Sequence, residues 1–289
     1  MKIKKEIYPI LLLTFVNALG FSVVLPILPF VIKQYNETPL MYGFLVSAYA
    51  FFQFIGAPIL GSLSDKYGRR PILIISQAGT MVSWIIFGIS YFIPDVPVIG
   101  ISLPILVIIF GRVIDGITGG NVSVANAYIA DKTETKERTK IYGISGAIFG
   151  LAFVVGPVLG GYASSFSIGY LGTAILAFSI SLATLLLIIF KVPESHDEQD
   201  KELEIKLIKE LNIFAKIKSL DDKYLSNLFA RRIFFTLSFS AYTSLLTLYA
   251  QNRYELDVKQ IGFVFLVIGS FLVINQGLFS RRFADKFGE

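Results

Sequence analysis

The stretch Gly61-Ser62-Leu63-Ser64-Asp65-Lys66-Tyr67-Gly68-Arg69-Arg70-Pro71 packs four charges into a turn between two uncharged segments. No charged residue occurs from Thr38 to Ser64, and none from Pro71 to Pro94. A helix needs about 20 mostly apolar residues to cross a bilayer, so each flank is long enough to span. Working outward, runs of this kind occur eight times: Ile7–Ile32, Thr38–Ser64, Pro71–Pro94, Pro104–Ala130, Ile141–Ser164, Tyr170–Phe190, Ile233–Ala250 and Ile261–Ser280. Only the fourth run holds charges, Arg112 and Asp115.

Composition agrees with this reading. The 289 residues are 54% hydrophobic and 16% charged, against about a quarter charged in soluble domains. With no Cys and a single His, His196, the chain lacks the material for disulfides, thiolate or zinc sites and a Ser-His triad. We expect no metal, no cofactor and no enzymatic activity. The net charge of +5 is dispersed in short clusters between apolar runs, which sets membrane orientation and does not make a nucleic-acid-binding face. The first run, after Met1-Lys2-Ile3-Lys4-Lys5-Glu6, is too long for the apolar region of a signal peptide and is expected to be a spanning helix.

The connections alternate in charge. Lys2, Lys4 and Lys5, then Lys66, Arg69 and Arg70, then Lys132, Lys136, Arg138 and Lys140, then Arg281, Arg282 and Lys286 fall on one side. The other side has Lys33, Arg253 and Lys259. This asymmetry predicts a multi-pass protein of the cell (inner or plasma) membrane with a cytoplasmic N-terminus. The longest polar stretch, Lys191 to Lys223, has an amphipathic middle in which Leu203, Leu207, Leu211, Phe214 and Ile217 recur at helical spacing. It reads as a linker helix on the membrane surface or as a partner-docking segment.

An internal repeat underlies the pattern. Tyr42-Gly43-Phe44 and Asp65-Lys66-Tyr67-Gly68 recur as Ile261-Gly262-Phe263 and Asp285-Lys286-Phe287-Gly288, at a spacing one residue longer. Six runs, a charged linker and the start of a similar set make the layout of two parallel halves. The predicted organisation is an N-terminal six-helix bundle over residues 1–190, a linker over 191–228 and the start of a second bundle over 229–289.

The segment Gly61 to Pro71 resembles the signature of major facilitator transporters between their second and third helices. The resemblance implies an all-α integral membrane protein with a complete first bundle and two helices of the second. It further implies that Gly61, Asp65, Gly68, Arg69 and Arg70 form a cytoplasmic latch, completed by an acidic residue at the end of the fourth helix, where Asp131 stands. On physical grounds, Gly61 allows a close helix crossing, Gly68 a tight turn, and Asp65 can face the positive end of a neighbouring helix.

In the fourth run, Arg112-Val113-Ile114-Asp115-Gly116 resembles the family's buried-arginine motif, and Ala127-Tyr128-Ile129-Ala130-Asp131 is similar to the tetracycline exporters. Asp115 lies one turn from Arg112 and either cancels its charge or titrates as the proton-coupling group. In the fifth run, Gly143, Gly156-Pro157 and Gly160-Gly161 resemble the signature of proton-coupled exporters, with Ala152 in place of one glycine. In the first run, Asn17-Ala18-Leu19-Gly20-Phe21 is similar to the same exporters. Asn17 stands where they usually carry an Asp, so the resemblance does not carry tetracycline–metal recognition onto this position. Asn17, Tyr49, Gln53, Asn121, Asn126, Tyr242 and Gln276 are candidates for a central substrate cavity, or else interhelical hydrogen bonds.

The function implied is proton-driven export of small amphipathic compounds by alternating access. The partners are the substrate, protons, the lipid bilayer and a missing remainder of the second half. Two alternatives stand beside it: export of a sugar- or amino-acid-like metabolite, and a truncated or split fragment that does not transport alone.

Overall fold

The computed structural model of the protein describes residues 5–195 and 223–274. The amphipathic segment 201–220, Gln276, the Arg281–Arg282 cluster and the second copy of the charged turn lie outside the described residues.

Within the described residues each apolar run folds as a helix, because in hydrocarbon every backbone N–H and C=O must be satisfied within its own segment. The first span comprises α1 (Tyr8–Val24) and α2 (Leu28–Gln34), and the second is α3 (Pro39–Tyr67). The third is α4 (Arg69–Ile89), continued by a 3₁₀ turn at Ser90–Phe92. The fourth comprises α5 (Leu103–Thr118), a 3₁₀ turn at Gly119–Asn121 and α6 (Val122–Lys132). The fifth is α7 (Thr135–Ser164) and the sixth α8 (Tyr170–Lys191), with α9 (Lys223–Tyr254) and α10 (Val258–Ile274) following. Among the described residues, seven helices are long and apolar enough to span, and α10 is a shorter apolar helix. A small antiparallel hairpin, β1 (Pro97–Val98) with β2 (Ile101–Ser102), joins the third and fourth spans.

Two spans break where one continuous helix was expected. Pro26 and Pro29 carry no backbone N–H, and α1 gives way to α2 between them. The fourth span breaks at Gly119-Gly120, where side chains take up the loosened carbonyls. Ser76 Oγ donates to the Thr118 carbonyl, Gln53 Nε2 to that of Gly119 at 3.1 Å, and Ser123 Oγ to that of Gly120 at 2.8 Å. Boundaries shift too: α9 begins at Lys223, ten residues before the uncharged run starting at Ile233.

The spans pack through small residues. A methyl group at Gly56 would strike the backbone of Ile117, and one at Gly120 that of Ala57, so α3 crosses the fourth span with backbones nearly touching. On the other side α7 lies between α1 and α10. A small apolar cluster, Ala250, Ile261 and Phe265, lies at α9 and α10, and two larger ones fill the first six spans. One gathers Leu19, Val23, Tyr42, Leu45, Trp84, Phe87, Ile105, Ile108, Tyr170 and Ala177; the other gathers Ile10, Leu13, Leu60, Leu73, Val124, Tyr128 and Ile188.

Candidate functional site

Between the two larger apolar clusters, every one of the first four spans places polar residues. In the first, Asn17 separates Leu13 from Leu19; in the second, Tyr49 and Gln53 separate Leu45 from Leu60. In the third, Ser76, Gln77, Thr80 and Ser83 separate Leu73 from Trp84; in the fourth, Arg112, Asp115 and Asn121 separate Ile108 from Val124. The sixth adds Ser181 and Thr184. The outcome is a polar belt at mid-depth between these two apolar clusters.

Arg112 sits at the centre of the belt, 2% exposed, with Nη1 3.4 Å from Asp115 Oδ2. Its guanidinium carbon lies 5.0 Å from the Trp84 ring centroid, 5.7 Å from that of Phe87 and 5.9 Å from that of Tyr49. Each face is worth roughly 0.5–2 kcal/mol as a cation–π contact. An arginine in hydrocarbon costs ~3 kcal/mol on insertion scales and over ~10 in simulations of an isolated helix, so the aromatic faces and the carboxylate together are what make the position tolerable. Arg112 Nε and Nη2, Ser83 Oγ and Trp84 Nε1 are buried without a hydrogen-bond partner among the described residues. The belt therefore presents donors that the helices themselves leave unused.

The cavity candidates divide into two groups. Asn17 Nδ2 donates to Asn121 Oδ1 at 2.6 Å, and Gln53 Nε2 to the Tyr49 hydroxyl at 2.9 Å. These four belong to the belt and are already hydrogen-bonded between or within spans. Asn126 and Tyr242 are exposed and share no hydrogen bond with the group. Sequence reasoning missed an aromatic row beside Tyr49. The Phe21 ring lies 5.3 Å from Tyr49 and 5.9 Å from Phe153, and Phe153 lies 6.1 Å from Phe239 on α9.

At one end of the bundle the charged turn folds around Arg69. Its Nη1 lies 2.5 Å from Asp65 Oδ1, its Nε 3.0 Å from Asp131 Oδ2, and its Nη1 also reaches Ser64 Oγ at 2.7 Å. The turn thus brings Asp65, Arg69 and Asp131 together, and Arg69 itself is buried. Gly68 has φ +95°, a region that disfavours any side chain, and a methyl there would press on the Glu194 carboxylate. Gly61 differs from expectation: it faces Ser123 with room for a methyl, and the close crossing lies at Gly56.

Glu194 was not foreseen. Its Oε1 accepts the Arg69 backbone N–H at 2.8 Å and its Oε2 that of Arg70 at 3.1 Å. The positive end of α4 is therefore held by Glu194, whereas Asp65 faces Arg69. Arg70 Nη2 donates to the Ile189 carbonyl at 2.7 Å, and Ser195 Oγ to Asp131 at 3.2 Å. The only sequence signal was Pro193-Glu194 directly after a spanning run.

The glycines of α7 also divide. Gly156 and Gly160 rest on Ser22 and Val23 of α1, Gly161 meets the backbone of Val258, and the Pro157 carbonyl packs against Gly262 of α10. Ala152 is buried, and its carbonyl accepts the Ser22 hydroxyl at 2.9 Å. A methyl group added at Gly143, in contrast, would meet open space.

Membrane-length helices packed through small residues around a polar belt define a polytopic membrane protein with a polar interior. The chain belongs to the Major Facilitator Superfamily, whose family description matches residues 10–289. It is 28% identical to the class H tetracycline resistance protein of Pasteurella multocida over 99% of this chain and 68% of that protein. It is also 28% identical to multidrug resistance protein 2 of Bacillus subtilis, again over 99% of this chain and 68% of the relative. In fold it matches the crystal structure of the human organic anion transporter MFSD10 with a TM-score of 0.72, at 22% identity over 98% of this chain and 73% of that one. The partially occluded inward-open xylose transporter XylE of E. coli gives a TM-score of 0.65 at 16% identity, over 98% and 74%.

Proposed function

We propose that this transporter exports small amphipathic compounds, driven by protons moving inward. The observation that carries the proposal is the Arg112–Asp115 pair, enclosed in the polar belt with both side chains almost fully buried. Protonating Asp115 removes its charge and leaves Arg112 without its anionic partner, so proton occupancy sets the electrostatics of the belt. Such a two-state element is what coupling requires. The amphipathic class is supported by the row Tyr49, Phe21, Phe153 and Phe239 beside the hydrogen-bonding Asn17 and Gln53, and by relatives named for tetracycline and multidrug resistance. The direction of transport is supported by the Gly156-Pro157 and Gly160-Gly161 packing of α7 between α1 and α10, in the helix that resembles the exporter signature.

In this reading Asp65, Arg69 and Asp131, with Glu194, form a latch at the cytoplasmic end that helps hold one conformation. Its members are positioning residues and do not touch the substrate.

The test uses a pump-deficient host expressing the chain fused to the last four helices of a tetracycline-resistance relative, beside residues 1–289 alone. Alternating access rocks two bundles about one site, and the fusion is expected to extrude amphipathic dyes. Collapse of the proton gradient, or Asp115→Asn, is expected to stop uphill extrusion. Gradient-driven efflux that survives Asp115→Asn would remove the coupling role.

A further inference from the structure

The end of the bundle that carries the charged turn also holds a groove between the first and sixth spans, with a volume of about 360 Å³. Its walls are Tyr8, Pro9 and Leu12 from α1 and Leu187 from α8, and its mouth is flanked by Lys5 and Lys191. We infer that this groove binds an anionic glycerophospholipid, with the phosphate between Lys5 and Lys191 and an acyl chain against Leu12 and Leu187.

The geometry suits that ligand. Lys5 opens the 3₁₀ turn that leads into α1, and Lys191 is the last residue of α8, so both ammonium groups stand at a membrane boundary. Both lysines are exposed, and neither takes part in an ion pair among the described residues. Below them the wall is apolar and outward-facing, with Tyr8 55% and Leu12 42% exposed. A tyrosine at this level matches the headgroup depth favoured by interfacial aromatics. Two cations over an apolar trough fit one phosphate diester followed by a hydrocarbon tail, whereas a soluble phosphate would make no use of the trough. Lys2 and Lys4 add charge nearby in sequence and Glu6 opposes it, leaving a basic excess. Basic pockets between spanning helices on the cytoplasmic side are suited to acidic headgroups.

The site also touches the latch through the chain. Lys191 lies three residues before Glu194, whose carboxylate caps α4 at Arg69 and Arg70. A lipid bound at Lys191 would restrain the end of α8 from which Glu194 is held.

The test is native mass spectrometry of purified residues 1–289 in detergent, with an equimolar mixture of palmitoyl-oleoyl phosphatidylglycerol and the matching phosphatidylcholine. Glycerol phosphate is offered in a separate arm. A preference for phosphatidylglycerol of about fivefold per lysine is expected, with no retention of glycerol phosphate. Lys5→Gln with Lys191→Gln should bring the two lipids to parity, while Lys33→Gln, at the other end of the bundle, should leave the preference intact. Should the double variant fail to fold, Lys5→Gln alone must still lower the ratio, and Leu12→Trp must lower total retention with both lysines present. Equal retention of the two lipids by the unaltered chain, or an undiminished preference in the lysine variants, would overturn the site. Retention of glycerol phosphate as strong as that of the lipid would make it a phosphate site only.

Discussion

At the scale of single residues, the account rests on charges placed where hydrocarbon would reject them. Arg112 and Asp115 neutralise one another, so removing one is expected to cost more than removing both. Arg112→Met leaves a buried carboxylate without its cation and should cost about 3–5 kcal/mol. Adding Asp115→Asn should recover much of that loss. The check is thermal unfolding in detergent, and a double variant no more stable than Arg112→Met would show that the pair is not coupled. Glu194 makes a second residue-scale case. Glu194→Ala strips two hydrogen bonds from the start of α4 and should cost roughly 0.5–2 kcal/mol, as cap losses do. Amide hydrogen exchange should rise at Arg69 and Arg70, and unchanged protection there would argue against the cap. The sequence made Asp65, Arg69 and Asp131 readable because their spacing matches a known signature. Glu194 was hidden because it joins the turn across about 125 residues of chain, and no local pattern encodes such a contact. The aromatic partners of Arg112 escaped for the same reason: Tyr49, Trp84 and Phe87 come from two other spans.

At the scale of elements, helix existence was legible and helix continuity was not. Uncharged length identifies a span, because the bilayer demands it. It says nothing of a break such as Gly119–Asn121, since a window of apolar residues averages over two glycines. The break is tolerated because Gln53, Ser76 and Ser123 meet the carbonyls it loosens. The glycine pattern of the fifth run was also only partly decipherable. Glycine was read as a packing residue throughout, yet Gly143 faces open space while Gly160 lies against Val23. Gly160→Ala should therefore force α7 off α1 and cost about 1–3 kcal/mol by overpacking. Gly143→Ala should be neutral or stabilising by up to ~1 kcal/mol through helix propensity. Thermal melts of the two variants decide the matter, and equal melting temperatures would contradict the packing described for α7.

At the scale of the whole molecule, orientation and coupling are the properties at issue. The asymmetry of the basic clusters predicts that the charged turn is cytoplasmic, and on that proposal the hairpin at Ile99 faces outside. Ile99 is 96% exposed at the tip of that hairpin, and Tyr67 is exposed beside the turn. In a chain with no cysteine, Ile99→Cys should react with an impermeant thiol reagent in intact cells and Tyr67→Cys should not. The reverse pattern would invert the topology. The division into bundles is an expectation drawn from the repeat, whereas the mid-depth belt left no mark in the sequence, because it forms only when several spans align their polar residues at one height. That belt bears the central claim, that Asp115 takes up and releases the transported proton. The most direct measurement is an infrared pH titration of the protonated-carboxyl stretch, recorded on residues 1–289 in lipid and compared with Asp115→Asn. The account predicts a carboxyl band in the unaltered chain that comes and goes with pH and is missing from Asp115→Asn. Identical titrations of the two proteins would contradict it, and would leave Arg112 and Asp115 as a fixed structural pair.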